Sequence, residues 1–332
     1  MSSKPAKEKT ASFFAVSPIM LFPETQGNFR VYLKQAGKYV LYSEQGERFT
    51  EDHRKRMYDL GVKQVHILAE HRERFRRYVE EHLGDVLASN FVSMEERSKV
   101  FYDASLSIVK SVFSTRLPKS LTEQQYETVA KLVKNCANFL SREDALKHLG
   151  GLIQHDYKLY RHSVNVFVFA VSLLNTYVVE EELVQDTGIA AILHDIGKQS
   201  IPREILHKST ALTTKERVMV ERHPVRAVSM CATAPLSSDV INAILFHHER
   251  VDGSGYPAGM YEDELPFHVR VLAVANVYDN MLTGEATGKA MTPFQALKAI
   301  SDDKGFDADI VKRMVLMLSD ALPGLSKLKS SL

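Results

Sequence analysis

The sequence predicts two domains, a small α/β module followed by an all-α helical domain. Three observations support this prediction. The length of 332 residues exceeds that of a usual single domain. Strand and helix patterns alternate in residues 14–88, whereas helical periodicity, interrupted by Gly and Pro, runs from residue 144 to 325. With 45% hydrophobic and 25% charged residues, the composition is that of an ordinary globular protein. Disorder is expected in the polar segment 1–13.

The N-terminal module begins with strands. Residues 29–42 alternate around a turn at Ala36-Gly37-Lys38, which predicts a hairpin. Thr50 can cap a short helix that ends at Leu60, residues 65–68 form a strand pattern, and residues 70–83 form a charged helix. No catalytic constellation is evident here, so the module is interpreted as regulatory from its position alone.

Residues 89–143 are predicted to be a helical connector between the two domains. Ser93 with Glu96, and Thr122 with Gln125, each fit a capping box followed by helical periodicity. The sequence leaves open whether two chains associate through these helices as a homodimer.

The overall charge and the apolar runs exclude several classes of protein. A formal net charge of +1 argues against a partner that is polymeric nucleic acid. The best apolar run, Val164 to Leu174, is shorter than the roughly 20 residues that a membrane span needs. Cys136 and Cys231 lie outside any CxxC spacing, which suits a reducing compartment. We therefore expect a cytoplasmic protein without a membrane span.

The C-terminal half contains a set of potential metal ligands. Neutral imidazole and carboxylate oxygen suit manganese, iron and zinc, and an adjacent His and Asp can bind one ion or bridge two. One such pair, His194-Asp195, follows an apolar stretch and should project from the end of a buried helix. The candidate ligands are His162, His194, Asp195, His223, His247, His248 and Asp279 beside Asn276.

These residues closely resemble the signature of the HD-GYP family. The matching segments are His162, His194-Asp195-Ile-Gly-Lys198, His223-Pro224, and His247-His248-Glu-Arg-Val-Asp-Gly-Ser-Gly-Tyr-Pro257. The last is long and highly specific. The resemblance covers residues 144–322 and leaves out the first 140.

The resemblance implies an all-helical hydrolase that opens cyclic di-GMP, and in some members cyclic GMP-AMP, with iron or manganese ions. In such a protein His162, His194, Asp195, His223, His247, His248 and Asn276 would hold the ions. Asp195 and Lys198 would be catalytic, with Lys198 neutralising charge that develops on the phosphate. The substrate-binding loop would comprise Arg250, Asp252, Gly253, Gly255, Tyr256 and Pro257, with Tyr256 lining a guanine cleft. Signalling proteins are potential partners of the Gly255-Tyr256-Pro257 loop.

The sequence departs from the family pattern at three places. Asn276 stands where the family usually has a ligating Asp, and an amide is a weaker, uncharged ligand. Glu285-Ala-Thr-Gly288 replaces a common Arg-Pro-Tyr-Arg, so basic residues that clamp phosphates are missing unless Arg250 or Lys289 substitutes. Lys158 occupies the place of a Glu in members with three metals, and we therefore expect two divalent metal ions.

Three functions are consistent with these patterns. The first is an active binuclear cyclic di-GMP phosphodiesterase. The second is a degenerate, non-catalytic binding or scaffold protein of the same fold. The third is another HD-type hydrolase that acts on mononucleotides or guanosine tetraphosphate with one metal at His162, His194 and Asp195; the additional His223 and the pair His247-His248 argue against it.

Overall fold

The computed structural model divides the chain into two compact units, with the boundary between Val92 and Ser93. It describes residues 12–90, 92–113, 120–142, 144–150, 152–153, 159–206, 208, 210–284, 289–322 and 325. Among the helices of these residues, none is long and apolar enough to cross a membrane.

The N-terminal unit is an antiparallel sheet with two helices. Its elements are β1 (Phe13–Val16), β2 (Thr25–Gln26), β3 (Val31–Gln35), β4 (Lys38–Ser43), β5 (Arg48–Phe49), α1 (Glu51–Asp59), β6 (Val65–Leu68) and α2 (Arg72–Ala88), with 3-10 turns at Pro18–Met20 and Ala69–His71. Four strands form one sheet in the order β1-β6-β3-β4, and β2 pairs with β5. Phe75 of α2 contacts the ring of Phe14 on β1, so α2 covers one face of the sheet.

Local signals in this unit agree with the structure. The β3–β4 hairpin turns at Ala36 and Gly37, and Thr50 caps α1 through a capping box with His53. The predicted disordered segment 1–13 includes two ordered residues, because Ser12 accepts a hydrogen bond from Ala69 and Phe13 pairs with Leu68 in the sheet. Residues 1–11 lie outside the described part of the chain.

The C-terminal unit is helical in the part that the structure describes. Its helices are α3 (Met94–Phe113), α4 (Glu123–Leu140), α5 (Ala145–Gly150), α6 (Leu159–Leu174), α7 (Glu181–Leu193), α8 (Arg203–Leu206), α9 (Thr214–Glu221), α10 (His223–Met230), α11 (Ser238–Phe246), α12 (Phe267–Thr283), α13 (Pro293–Asp302) and α14 (Ala308–Ala321), with a 3-10 turn at Ile196–Ser200.

Helix α6 is the centre of this unit. All of its residues from His162 to Leu174 are buried, which is the pattern of a helix surrounded by others. It packs against α3, α7 and α12, and α4 packs against α7. Most of the predicted connector at 89–143 belongs to the C-terminal unit, because α3 and α4 supply part of the core that surrounds α6.

Candidate metal centre

Helix ends bring most of the predicted ligands together. His162 lies in the first turn of α6, and His194 and Asp195 directly follow α7. His223 is the first residue of α10, and the pair His247-His248 follows α11. All of these side chains except that of His248 are almost fully buried, so four helices deliver imidazole and carboxylate groups to one interior point.

Four of the histidines each form a hydrogen bond between Nδ1 and an oxygen atom of the protein. In three of them Nδ1 lies 2.8 Å from the carbonyl oxygen three residues earlier; the pairs are His194 with Ala191, His223 with Val220 and His247 with Ile244. In the fourth, His162 Nδ1 lies 2.7 Å from a carboxylate oxygen of Asp279. Since those oxygens only accept, Nδ1 carries the proton and donates it. In a neutral ring with this tautomer the Nε2 atom presents a lone pair, as in metal-ligating histidines.

These lone pairs converge on one another. His162 Nε2 lies 3.2 Å from His194 Nε2, and His223 Nε2 lies 3.2 Å from His247 Nε2. Two neutral rings in this tautomer have no proton to share at these contacts, whereas a cation between them would be bound by both lone pairs. The donor chemistry thus fits divalent metal ions that prefer nitrogen and oxygen ligands.

Asp195 lies between the two groups of histidines. Its Oδ2 is 3.4 Å from His162 Nε2 and 3.3 Å from His194 Nε2, whereas its Oδ1 is 3.1 Å from His223 Nε2. Two donor sets result. The first, the His162 donor set, comprises His162, His194 and Asp195, and the second comprises Asp195, His223, His247 and His248. Within each set the ligand atoms lie within 4.8 Å of one another.

Burial controls the charge state of this cluster. It lowers the pKa of His194, and it holds the pKa values of His247 and His248 well below that of an exposed histidine, so the rings are neutral ligands. Burial alone would raise the pKa of Asp195, but the Lys198 ammonium 2.9 Å away is the main influence that holds it well below its ordinary value. Lys198 itself is buried.

Helix α12 contributes a support for His162. Asp279 accepts a hydrogen bond from the N–H group at His162 Nδ1 and so orients the ring. Asn276 is buried one turn earlier on α12, where its Oδ1 accepts a hydrogen bond from the side chain of Asn280 at 3.0 Å. Its role as a ligand stays a prediction.

The predicted substrate loop lies beside the second donor set. The Tyr256 ring stacks on His248 with a centroid separation of 4.6 Å, and Pro257 follows it. A Cβ atom at Gly255 would lie 2.5 Å from the backbone of Glu249 and Arg250, so only glycine permits this close approach. The loop therefore fixes an aromatic ring next to the metal ligands.

Arg250 is engaged within the protein. Its guanidinium group pairs with Asp303 and lies over the Phe306 ring at 4.7 Å, and its Nε donates to Ser254. Ser254 is also held by Asp252, which accepts hydrogen bonds from its backbone N–H and its hydroxyl group. Arg250 and Asp252 thus shape the loop around Gly253, and a phosphate would have to compete with Asp303 for Arg250.

Glu249 holds the loop beside the donor sets, a role that sequence reasoning missed. Its side chain is buried, and its carboxylate accepts backbone hydrogen bonds from Ala258 at 2.5 Å, Gly259 at 3.1 Å and Met260 at 3.1 Å. These contacts join the residues that follow Pro257 to the residue that follows His248. The signal available in the sequence was a carboxylate directly after two predicted ligands, in a segment otherwise assigned to substrate binding.

A comparison of the sequence with models of protein families identifies the family of this helical unit. The model of the family described as HD domain matches residues 119–310, which is more than half of the chain. That range contains both donor sets and the complete Gly-Tyr-Pro loop. The chain belongs to the HD-GYP family.

The HD-GYP chain is similar to several known proteins. A cyclic di-GMP phosphodiesterase of Pseudomonas aeruginosa is 33% identical over 181 residues, which are 54% of this chain and 44% of that protein. A cyclic di-GMP phosphodiesterase response regulator of Xanthomonas campestris pv. campestris is 27% identical over 226 residues, 65% of this chain and 53% of that protein. The chain thus spans about half the length of these curated relatives.

A solved structure of an HDG"Y"P protein from Bdellovibrio bacteriovorus has the same fold. The TM-score is 0.64 at 19% identity, and the match covers 93% of this chain and 100% of that one. Two features in which this HD-GYP sequence departs from the family pattern, Lys158 and the segment 285–288, lie outside the described residues.

Proposed function

We propose that this HD-GYP protein is a metal-dependent phosphodiesterase that hydrolyses a cyclic dinucleotide, with cyclic di-GMP as the first substrate to test. The names of the relatives from Pseudomonas and Xanthomonas support this substrate class. A role in second-messenger signalling in the cytoplasm belongs to the same proposal. The two free, buried cysteines, Cys136 and Cys231, are compatible with a reducing compartment.

The observation that carries the proposal is the position of Asp195 between two sets of imidazole ligands. One carboxylate oxygen faces His162 and His194, and the other faces His223. A carboxylate in this position can bridge two ions, and an all-nitrogen and oxygen donor set without thiolate suits iron or manganese. We therefore propose a binuclear centre rather than the single metal of a mononucleotide hydrolase.

When bound, the two ions would supply Lewis acidity, which polarises a phosphodiester oxygen and makes water a better nucleophile at neutral pH. The protein's own residues would orient the substrate around this centre. Lys198 is buried beside Asp195 and would place a positive charge where charge develops on the phosphate. Tyr256, stacked on His248, offers an aromatic ring against which a guanine base can pack.

The proposed activity can be tested with metal analysis and hydrolysis in one preparation. Protein purified without oxygen should contain about two iron or manganese ions per chain and should release linear dinucleotide or GMP from cyclic di-GMP, as expected for a two-metal hydrolase. An Asp195→Ala variant should lose both properties. Asp302→Ala is the matched control, because Asp302 is an exposed carboxylate of the same unit that pairs only with Lys298 among the contacts described.

The outcomes separate the alternatives. Metal binding without hydrolysis of any cyclic dinucleotide would favour the non-catalytic binding or scaffold protein. A single metal together with consumption of a mononucleotide would favour the other HD-type hydrolase. Equal activity in the Asp195→Ala and Asp302→Ala variants would contradict the proposed metal centre itself.

A further inference from the structure

A buried chain of hydrogen bonds runs from α3 to the first donor set. The Tyr102 hydroxyl group on α3 donates to Asn165 Oδ1 on α6 at 3.1 Å. Asn165 Nδ2 donates to Asp279 Oδ1 on α12 at 2.9 Å, and Asp279 Oδ2 accepts from His162 Nδ1 at 2.7 Å. All four side chains are buried, so water does not compete for these bonds.

The hydrogen bonds on either side of Asn165 support one orientation of its amide. A carboxamide has one accepting and one donating end, and the Tyr102 hydroxyl group donates to the accepting end of Asn165. The donating end is thereby directed at Asp279. If the amide of Asn165 turned over, its oxygen would face the carboxylate of Asp279, and two acceptors would repel each other. The Asp279 carboxylate therefore selects this orientation of Asn165, and Tyr102 stabilises it by donating to the buried amide oxygen that would otherwise have one partner fewer.

The far end of the chain determines how well His162 can bind metal. Asp279 holds the proton on Nδ1 and leaves the Nε2 lone pair directed at the first donor set. Partners behind a ligating histidine fix its tautomer and its ring orientation, and their loss weakens metal binding. Loss of a hydrogen bond that positions Asp279 must therefore lower the metal affinity of the set formed by His162, His194 and Asp195.

We propose that Tyr102 is a positioning residue that couples the placement of α3 to the metal affinity of the His162 donor set. This inference rests on the proposed function, since it requires that the set binds a metal ion. Tyr102 lies upstream of residues 119–310, which match the HD domain model, and α3 is the first helix after the boundary at Val92. A shift of α3 that withdraws the hydroxyl group weakens this metal site without altering any ligand.

The test compares two tyrosine-to-phenylalanine variants. Tyr102→Phe removes the hydroxyl group and keeps the ring. Tyr78→Phe is the matched control, because Tyr78 is as buried as Tyr102 at 4% exposure and its hydroxyl group also forms buried hydrogen bonds, with Phe22 and Thr25 of the N-terminal unit. Retention of manganese is measured by titrating each loaded protein with a chelator, alongside urea unfolding of the metal-free forms.

We expect Tyr102→Phe to bind the ion of the His162 donor set about threefold to tenfold less tightly, somewhat less than the 10–100-fold typical of a direct partner of a ligating histidine. Tyr78→Phe should retain metal like the wild type. A positioning role is supported if both variants lose the same free energy of unfolding in the metal-free form and only Tyr102→Phe loses metal affinity. This result distinguishes positioning from general structural damage.

Asp279→Asn provides the reference for the direct partner of His162. It should lower metal affinity more than Tyr102→Phe, and adding Tyr102→Phe to it should have little further effect if both act through one chain. Normal metal affinity of Tyr102→Phe beside a weakened Asp279→Asn overturns the role of Tyr102 and leaves the proposed function intact. A wild-type chain that binds no metal overturns both.

Discussion

Replacing Glu249 by Gln tests how the loop beside the metal ligands is held. The Glu249 carboxylate is 2% exposed and accepts three backbone N–H groups, those of Ala258, Gly259 and Met260. Oε1 serves the first two and Oε2 serves the third. Glutamine keeps one oxygen, but its NH₂ group then faces a backbone N–H, which also donates.

The expected cost follows from these contacts. Hydrogen bonds to a charged group are worth about 1.5–3 kcal/mol each, and a buried donor left without an acceptor costs about 1–3 kcal/mol. The variant loses one charged acceptor completely and exchanges two charged bonds for neutral ones. We therefore expect the free energy of unfolding of the C-terminal unit to fall by about 2–4 kcal/mol, allowing for partial relaxation of the loop.

Urea unfolding and steady-state kinetics measure the two consequences. A looser loop should raise KM for the cyclic dinucleotide because Tyr256 is no longer fixed on His248, while the metal content is retained. Glu264→Gln is the matched control, since the exposed Glu264 accepts one backbone N–H, that of Tyr261, in the same loop. A loss of less than about 0.5 kcal/mol, the range of ordinary surface substitutions, with an unchanged KM would refute the reasoning.

Three further perturbations have defined outcomes. Asn276→Asp should raise metal affinity about tenfold and increase turnover if the missing carboxylate limits the reaction; unchanged rates in a metal-titrated assay would reject this. Gly197→Ala should lower the free energy of unfolding in urea by about 1–3 kcal/mol and lower the metal content, because its Cβ would lie 2.1 Å from the backbone oxygen at the start of α10. In the control Gly150→Ala the new Cβ meets a leucine side chain that can move, so this variant should be tolerated. Burial raises the pKa of Cys136 beyond the usual range and that of Cys231 to about 12, so neither thiol should react with a disulfide reagent at pH 8 until the protein unfolds. Rapid labelling without denaturant would contradict this.

Local chemistry made much of the fold predictable. Thr50 caps a helix as predicted, Thr122 does so through the predicted capping box, and the strand predicted at Val65–Leu68 has those bounds in the structure. Each signal lies within four residues of its consequence, so chain context hardly alters it. The extent of the helical unit was less predictable, because α3 and α4 belong to it through packing around α6, and packing partners distant in sequence leave no periodic signal.

The same distinction explains what could be known of the site. Residue type and order identified the histidines and Asp195, because few side chains bind metals and the HD-GYP loop is a long motif. Which Nε2 atoms converge, and on which oxygen of Asp195, depends on carbonyl groups that fix each ring and on helices far apart in the chain. Tyr102 shows the limit most clearly. A tyrosine in an amphipathic helix is indistinguishable by pattern from a core residue, and only the fold reveals that its hydroxyl group is linked through Asn165 and Asp279 to a ligand 60 residues downstream. Residues of this kind are those through which a neighbouring helix can act on a metal centre without touching it.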